Sequence, residues 1–185
     1  MSRYDVTNSE GDFQAGGEEG VLCNRLSLTR KQDIDAAETE LLQALYELVL
    51  SDSSETLTFD DIKRWHRIWL GNLYEWAGNL RTVNMSKGDF HFAAAAQLPR
   101  LIDAFEQEFL SRFTELSEMN DEEVVQYLAQ CHVEFILIHP FREGNGRLSR
   151  LLMDTMAIEA GFQSLDYQLW EDNKDFYFKS IQAGV

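Results

Sequence analysis

The sequence predicts an all-α fold, a bundle of about six to eight helices with one small β-hairpin lying on it. Three observations carry this prediction. Apolar residues recur at helical spacing along most of the chain, as in Val124, Leu128, Cys131, Phe135 and Ile138. Thr58 with Asp61, and Asn120 with Glu123, read as capping boxes at helix starts. Only residues 80–92 change to a period of two, a run too short for a sheet of its own.

Residues 1–28 carry glycine pairs and no period, so an irregular lead-in is expected before a single domain over 29–185. Thr29 with Gln32 resembles a capping box, and Ile34, Ala37, Leu41, Ala44, Leu45 and Leu48 then continue a helix to about Leu50. A second helix should follow Thr58, with Leu57 stapled on Ile62, carry Trp65, Ile68, Trp69 and Leu73 as core, and end at Trp76-Ala77-Gly78. Val83 and Met85 alternate with polar neighbours, Lys87-Gly88-Asp89 reads as a turn, and Phe90 and Phe92 flank His91, which together make the hairpin. An open hairpin edge can accept a strand from another protein.

Residues 93–113 read as one helix, with Pro99 in its first turn and a face of Leu101, Ala104, Phe105, Glu108 and Phe109. The helix capped by Asn120 should end at His139, because Pro140 disfavours the α conformation there. Leu148, Leu151, Leu152, Thr155 and Ile158 set the next helix, which Gly161 closes. Residues 170–182 read as a last helix through Phe176, Lys179 and Ser180.

Composition narrows the function. No apolar run approaches the ~20 residues of a membrane span, and the polar, acidic N-terminus does not resemble a secretory leader. Cys23 and Cys131 form no C-x-x-C pattern, so both are expected to be reduced cysteines of a cytoplasmic protein. A net charge of −16 argues against direct nucleic-acid binding, which needs basic surface.

The chemistry concentrates in His139-Pro140-Phe141-Arg142-Glu143-Gly144-Asn145-Gly146-Arg147-Leu148-Ser149-Arg150. Gly144, Asn145 and Gly146 tolerate the backbone of a tight loop, which opens onto a helix N-terminus. Unsatisfied N–H groups and the positive end of the dipole make that terminus an anion site. Arg147 and Arg150 share one face of the first turn, where cations oppose the dipole unless a polyphosphate lies between them. Glu143 offers the hard oxygen that Mg²⁺ on phosphate needs. His139 offers an imidazole, the side chain whose unperturbed pKa lies closest to neutrality, as a base. Each residue alone is ordinary, but no packing requirement asks for all of them together.

This stretch resembles the signature of Fic-domain proteins, H-x-F-x-(D/E)-G-N-G-R-x-x-R, at every fixed position. Leu73-Tyr74-Glu75-Trp76-Ala77-Gly78, Arg81 and Lys87-Gly88 resemble the Fic region leading into a hairpin flap over the active-site loop. Gly146 stands where Doc-type kinases have lysine. The resemblance implies a protein adenylyltransferase that moves AMP from ATP to a Ser, Thr or Tyr hydroxyl of a target protein. His139 would take the hydroxyl proton and Glu143 would hold Mg²⁺. Gly144, Asn145 and Gly146 would bind the α-phosphate region through backbone N–H groups and the amide. Arg147 would hold the β- and γ-phosphates, and Arg150 the γ-phosphate. Phe141 would anchor the loop. Ser86, Lys87, Gly88, Asp89, Phe90, His91 and Phe92 would form the flap that pairs with the target.

The resemblance leaves two alternatives open: a transferase using another donor such as UTP, GTP or a CDP-alcohol, and a non-catalytic module with a silent nucleotide site. Among implied partners, Fic toxins of similar size point to a topoisomerase subunit as one candidate target. Many Fic proteins carry an inhibitory helix with Ser or Thr four residues before Glu, followed by Gly or Asn. Thr155 to Glu159 lies inside the motif helix and Ala160 follows it, so it does not serve. The inhibitory helix would then come from a separate antitoxin or lie past Val185. Either case leaves Arg150 free and predicts constitutive activity.

Overall fold

The computed structural model describes residues 5–6, 12–52 and 56–184. Among the described residues, seven α-helices and a small antiparallel sheet make up the fold. The helices are α1 (Lys31–Leu50), α2 (Phe59–Leu70), α3 (Leu98–Glu108), α4 (Asp121–Ile138), α5 (Asn145–Glu159), α6 (Gln168–Asp172) and α7 (Lys174–Ala183). The strands are β1 (Asp5–Val6), β2 (Met85–Lys87) and β3 (Phe90–His91), in the order β1-β2-β3.

Helix α4 packs on α3, α5 and α7, and α1 packs on α2. Both expected capping boxes of α2 and α4 form, with each cap side chain and its carboxylate partner exchanging hydrogen bonds with backbone N–H groups. Trp69, Phe105, Phe135 and Phe141 are fully buried in one core. Each such side chain withdrawn from water contributes about 1.5–3 kcal/mol. Trp65, Leu73 and Leu57 with Ile62 join that core as expected.

Several expectations are corrected. The Thr29 capping box is absent: α1 starts at Lys31, whose N–H donates to the Glu18 carboxylate instead. Its inward face runs through Ile34, Glu38, Leu45 and Val49, and Leu48 is exposed. Helix α2 ends at Leu70, and residues 71–77 fold back in turns so that the Gly78 N–H reaches the His66 ring. Ile68 is exposed, because His66 and Trp69 take the inward face.

The helix expected over 93–113 divides into a 3-10 turn (Ala95–Gln97), α3, and a 3-10 segment (Leu110–Glu118). Ile102 is buried there, and the exposed residues include Ala104 and Glu108. The last helix breaks at Asn173, where ψ of 48° leaves the helical region, and Phe176 is exposed.

The hairpin places Ser86 opposite His91 and Lys87 opposite Phe90, with Gly88 at φ 58° in the turn between. Val83, Met85 and Phe92 bury a small cluster beneath it. Strand β1 pairs antiparallel with β2, Val6 opposite Met85. The outer edge of β2, expected to be open, is thus covered by the chain's own N-terminal strand.

Candidate active site

The site begins where α4 ends. His139 takes a left-handed conformation (φ 50°, ψ 60°), a geometry that costs a residue with a Cβ about 1–3 kcal/mol. Arg81 holds it there. Its Nε donates to the His139 carbonyl at 2.7 Å, its Nη2 donates to the Ile138 carbonyl at 3.2 Å, and its backbone N–H donates to the Pro140 carbonyl at 2.9 Å. A buried cation thereby satisfies the carbonyl end of α4. The same guanidinium donates to the Val83 and Ala93 carbonyls, so one side chain binds the hairpin to the active-site loop.

The His139 ring lies against Phe92, ring centres 3.8 Å apart, at the base of the hairpin. Its Nδ1 is 3.2 Å from the Ile136 carbonyl. That carbonyl can only accept, so Nδ1 carries the proton of the neutral ring and Nε2 is the basic nitrogen.

The loop from 140 to 144 is wired from within. The Asn145 Nδ2 donates to the Phe141 carbonyl at 2.7 Å, and Phe141 N–H donates to Asn145 Oδ1 at 2.9 Å. Asn145 was expected to offer its amide to the α-phosphate. That amide is instead spent inside the loop, which leaves the backbone N–H for a ligand. Phe141 is fully buried and stacks on His66, ring centres 4.1 Å apart.

His66 itself is tautomer-locked. Nδ1 accepts from Gly78 N–H at 2.8 Å, so Nε2 carries the proton and donates to the Glu143 carbonyl at 3.1 Å. Burial, and secondarily the Arg147 charge, lower its pKa to about 4 against the pull of the Glu143 bond.

Gly144 caps α5 at φ 82°, the first turn presents Gly146 and Arg147, and Arg150 follows in the second turn. One cleft of about 430 Å³ is lined by His139, Glu143, the Gly144–Asn145–Gly146 turn, Arg147 and Arg150. Lys87 and Phe92 of the hairpin also line it, with Trp170, Glu171, Lys174, Tyr177 and Phe178 opposite. Such a volume suits a nucleotide-sized ligand. Lys87 Nζ stands 3.3 Å from the centre of the Phe178 ring, which carries the hairpin across to α7. The remaining hairpin residues, Ser86, Gly88, Asp89, Phe90 and His91, do not line the cleft.

Three comparisons bear on this arrangement. The sequence pattern of the Fic/DOC family matches residues 56–157. The chain belongs to the Fic/DOC family. It is 30% identical over 163 residues to protein adenylyltransferase VbhT of Bartonella schoenbuchensis, spanning 88% of this chain and 33% of that protein. It is 28% identical over 165 residues to the probable protein adenylyltransferase Fic of Escherichia coli, spanning 89% of this chain and 80% of that one. The chain therefore covers about a third of VbhT and most of the E. coli protein. Among solved structures, the Fic domain of a Bartonella quintana protein with bound ADP superposes with a TM-score of 0.74 at 20% identity, over 92% of this chain and 85% of that one. BepC of Bartonella tribocorum with bound AMPPNP has a TM-score of 0.67 at 18% identity, over 85% and 82%. At such identities these two establish a shared Fic fold.

Within the Fic site, Arg150 departs from expectation. It is not free: its Nη2 is 2.6 Å from Glu171 of α6, which also meets Lys174 at 3.1 Å. Hydrogen bonds from those two cations hold the Glu171 carboxyl below its ordinary pKa. The helix breaks that form α6 bring this carboxylate to the cleft, and one continuous helix does not imply them. Sequence reasoning also passed over Glu38 and His66. For Glu38 the signal was available. It stands four residues after Ile34 and seven before Leu45, a carboxylate on an apolar helix face.

Proposed function

We propose that this Fic protein is an adenylyltransferase that transfers AMP from ATP to a hydroxyl side chain of a protein. The reading is supported above all by the shared cleft, in which the basic Nε2 of His139, the N-terminus of α5 and two arginines face one another. A hydroxyl oxygen of the target would attack the α-phosphorus while its proton passes to His139 Nε2. The bond from the α-phosphorus to the bridging oxygen would break, and pyrophosphate would leave. The first-turn N–H groups of α5 would receive the phosphate charge, with Arg147 and Arg150 on the outer phosphates.

The residues fit a magnesium ion carried on the triphosphate. Such an ion keeps several waters and needs one or two carboxylates, and Glu143 supplies one to the cleft. When bound, the ion would offset charge on the leaving pyrophosphate. The target strand, if it adds to the hairpin, would displace β1 or use the edge of β3. A separate antitoxin, a topoisomerase target and cytoplasmic residence belong to the same proposal, and among the described residues no helix is long and apolar enough to cross a membrane.

The test incubates the chain with ATP labelled at the α-phosphorus, magnesium and lysate, then maps labelled peptides by mass spectrometry. A +AMP adduct is expected, and His139→Ala should lower its rate about 10²–10⁴-fold. Undiminished transfer by that variant, or no adduct on any protein, would overturn the reading. Label appearing only from UTP, GTP or a CDP-alcohol would reassign the donor.

A further inference from the structure

Behind the cleft lies an ion pair that no part of the motif accounts for. Glu38 of α1 is 4% exposed, and its Oε2 is 2.7 Å from Arg147 Nη1. Its other oxygen, Oε1, accepts from the Tyr74 hydroxyl at 2.8 Å. Its backbone carbonyl accepts from Trp69 Nε1 at 2.8 Å. The Arg147 guanidinium lies over the Trp69 ring, 4.6 Å from its centre. The far edge of the guanidinium behaves differently. Nη2 is buried, makes no hydrogen bond among the described residues, and has the Glu143 carboxylate 3.8 Å away.

We infer that Glu38 is a positioning residue that sets Arg147 for the outer phosphates of the nucleotide. A buried ion pair gives little net stability, because desolvation offsets the attraction. What it does give is orientation. Three contacts fix Glu38, so the carboxylate cannot swing out to compete with a ligand. Glu38, Tyr74 and Trp69 are all outside the cleft lining, and Arg147 alone of this group faces into it. With Nη1 tied and the plane resting on Trp69, the guanidinium has one orientation, which sets Nη2 beside Glu143, a residue of the cleft lining. An oriented fork of donors suits a polyphosphate better than a mobile one, since less entropy is lost on binding.

The inference rests on the proposed role of Arg147 and is tested together with it. Titration calorimetry in magnesium buffer would measure AMPPNP, inorganic tripolyphosphate and AMP against the parent chain, Glu38→Gln, Glu38→Ala and Arg147→Ala. AMP lacks the outer phosphates and reports on the rest of the cleft. Glu38→Ala should weaken AMPPNP and tripolyphosphate about tenfold and leave AMP affinity unchanged. Glu38→Gln keeps the shape and one acceptor and should fall between. The double variant should bind AMPPNP no more weakly than Arg147→Ala alone, since the two act as one unit.

Parent-like AMPPNP affinity in Glu38→Ala, with Arg147→Ala weakened, overturns the inference alone. Equal loss of AMP and AMPPNP in both Glu38 variants also overturns it, because it assigns Glu38 a merely structural part. Arg147→Ala binding AMPPNP normally overturns both the inference and the reading of the cleft.

Discussion

Gly144 and Gly146 stand in one loop and answer different demands. At Gly144, φ is +82° and an added Cβ would lie 2.6 Å from the Trp69 ring. Gly146 has ordinary backbone geometry, and a Cβ there would meet nothing within 4 Å. The first glycine is required by the fold and the second is not. Gly144→Ala should therefore lower Tm, with a cost of at least about 2 kcal/mol from strain and overlap. Gly146→Ala should hold or raise Tm, because alanine is the better helix residue by about 0.5–1 kcal/mol. Its loss should appear instead in AMPPNP affinity, where close approach of phosphate to backbone is the remaining reason for glycine. Thermal unfolding and calorimetry on both variants would decide this, and equal losses of Tm would sink the distinction.

Among the elements, α4 and the start of α5 were legible in the sequence because strong local signals agree there. A capping box opens α4, a mostly apolar face interrupted by His132 runs through it, and Pro140 and Gly144 bound the loop. The inward faces of α1 and α2 were misjudged at the positions where a polar side chain holds a core site. Glu38 and His66 do so because their partners, Arg147, Tyr74, Gly78 and Glu143, are distant in sequence. Periodicity sees hydropathy and not partners. The break between α6 and α7 was equally hidden, and it delivers Glu171 to Arg150. Both side chains of that pair are partly exposed, so it is worth only about 0–1 kcal/mol. A phosphate can displace it. Glu171→Ala should therefore tighten AMPPNP binding severalfold at low salt, an effect that added salt reduces. Weaker binding by this variant would mean that Glu171 holds Arg150 in place for the ligand rather than competing with it.

For the molecule as a whole, two buried imidazoles tie the helices together, and both must stay neutral. His66 bonds the turn after α2 to the active-site loop. His132 of α4 contacts Ser149 of α5 and the Tyr177 hydroxyl of α7, each at 2.7 Å. Burial, with the Arg150 charge adding to it, lowers His132 to about 4, matching His66. In the unfolded chain each ring would titrate near its ordinary 6.5. Between pH 6.5 and 4 the unfolded state therefore binds more protons, so the stability these groups contribute is present above 6.5 and lost as pH falls. At pH 5 the loss comes to roughly 2 kcal/mol for each ring. Asp154 and Glu134, whose carboxyls burial raises, act in the opposite sense as pH rises through the carboxylate range. They soften the decline at its acid end. Denaturant unfolding at pH 7.5 and pH 5 should thus show a clear fall in stability. His132→Gln, which does not titrate, should lose about half of that pH dependence while starting from a lower value. An unchanged slope in the variant would show that His132 is not among the groups that take up protons on unfolding.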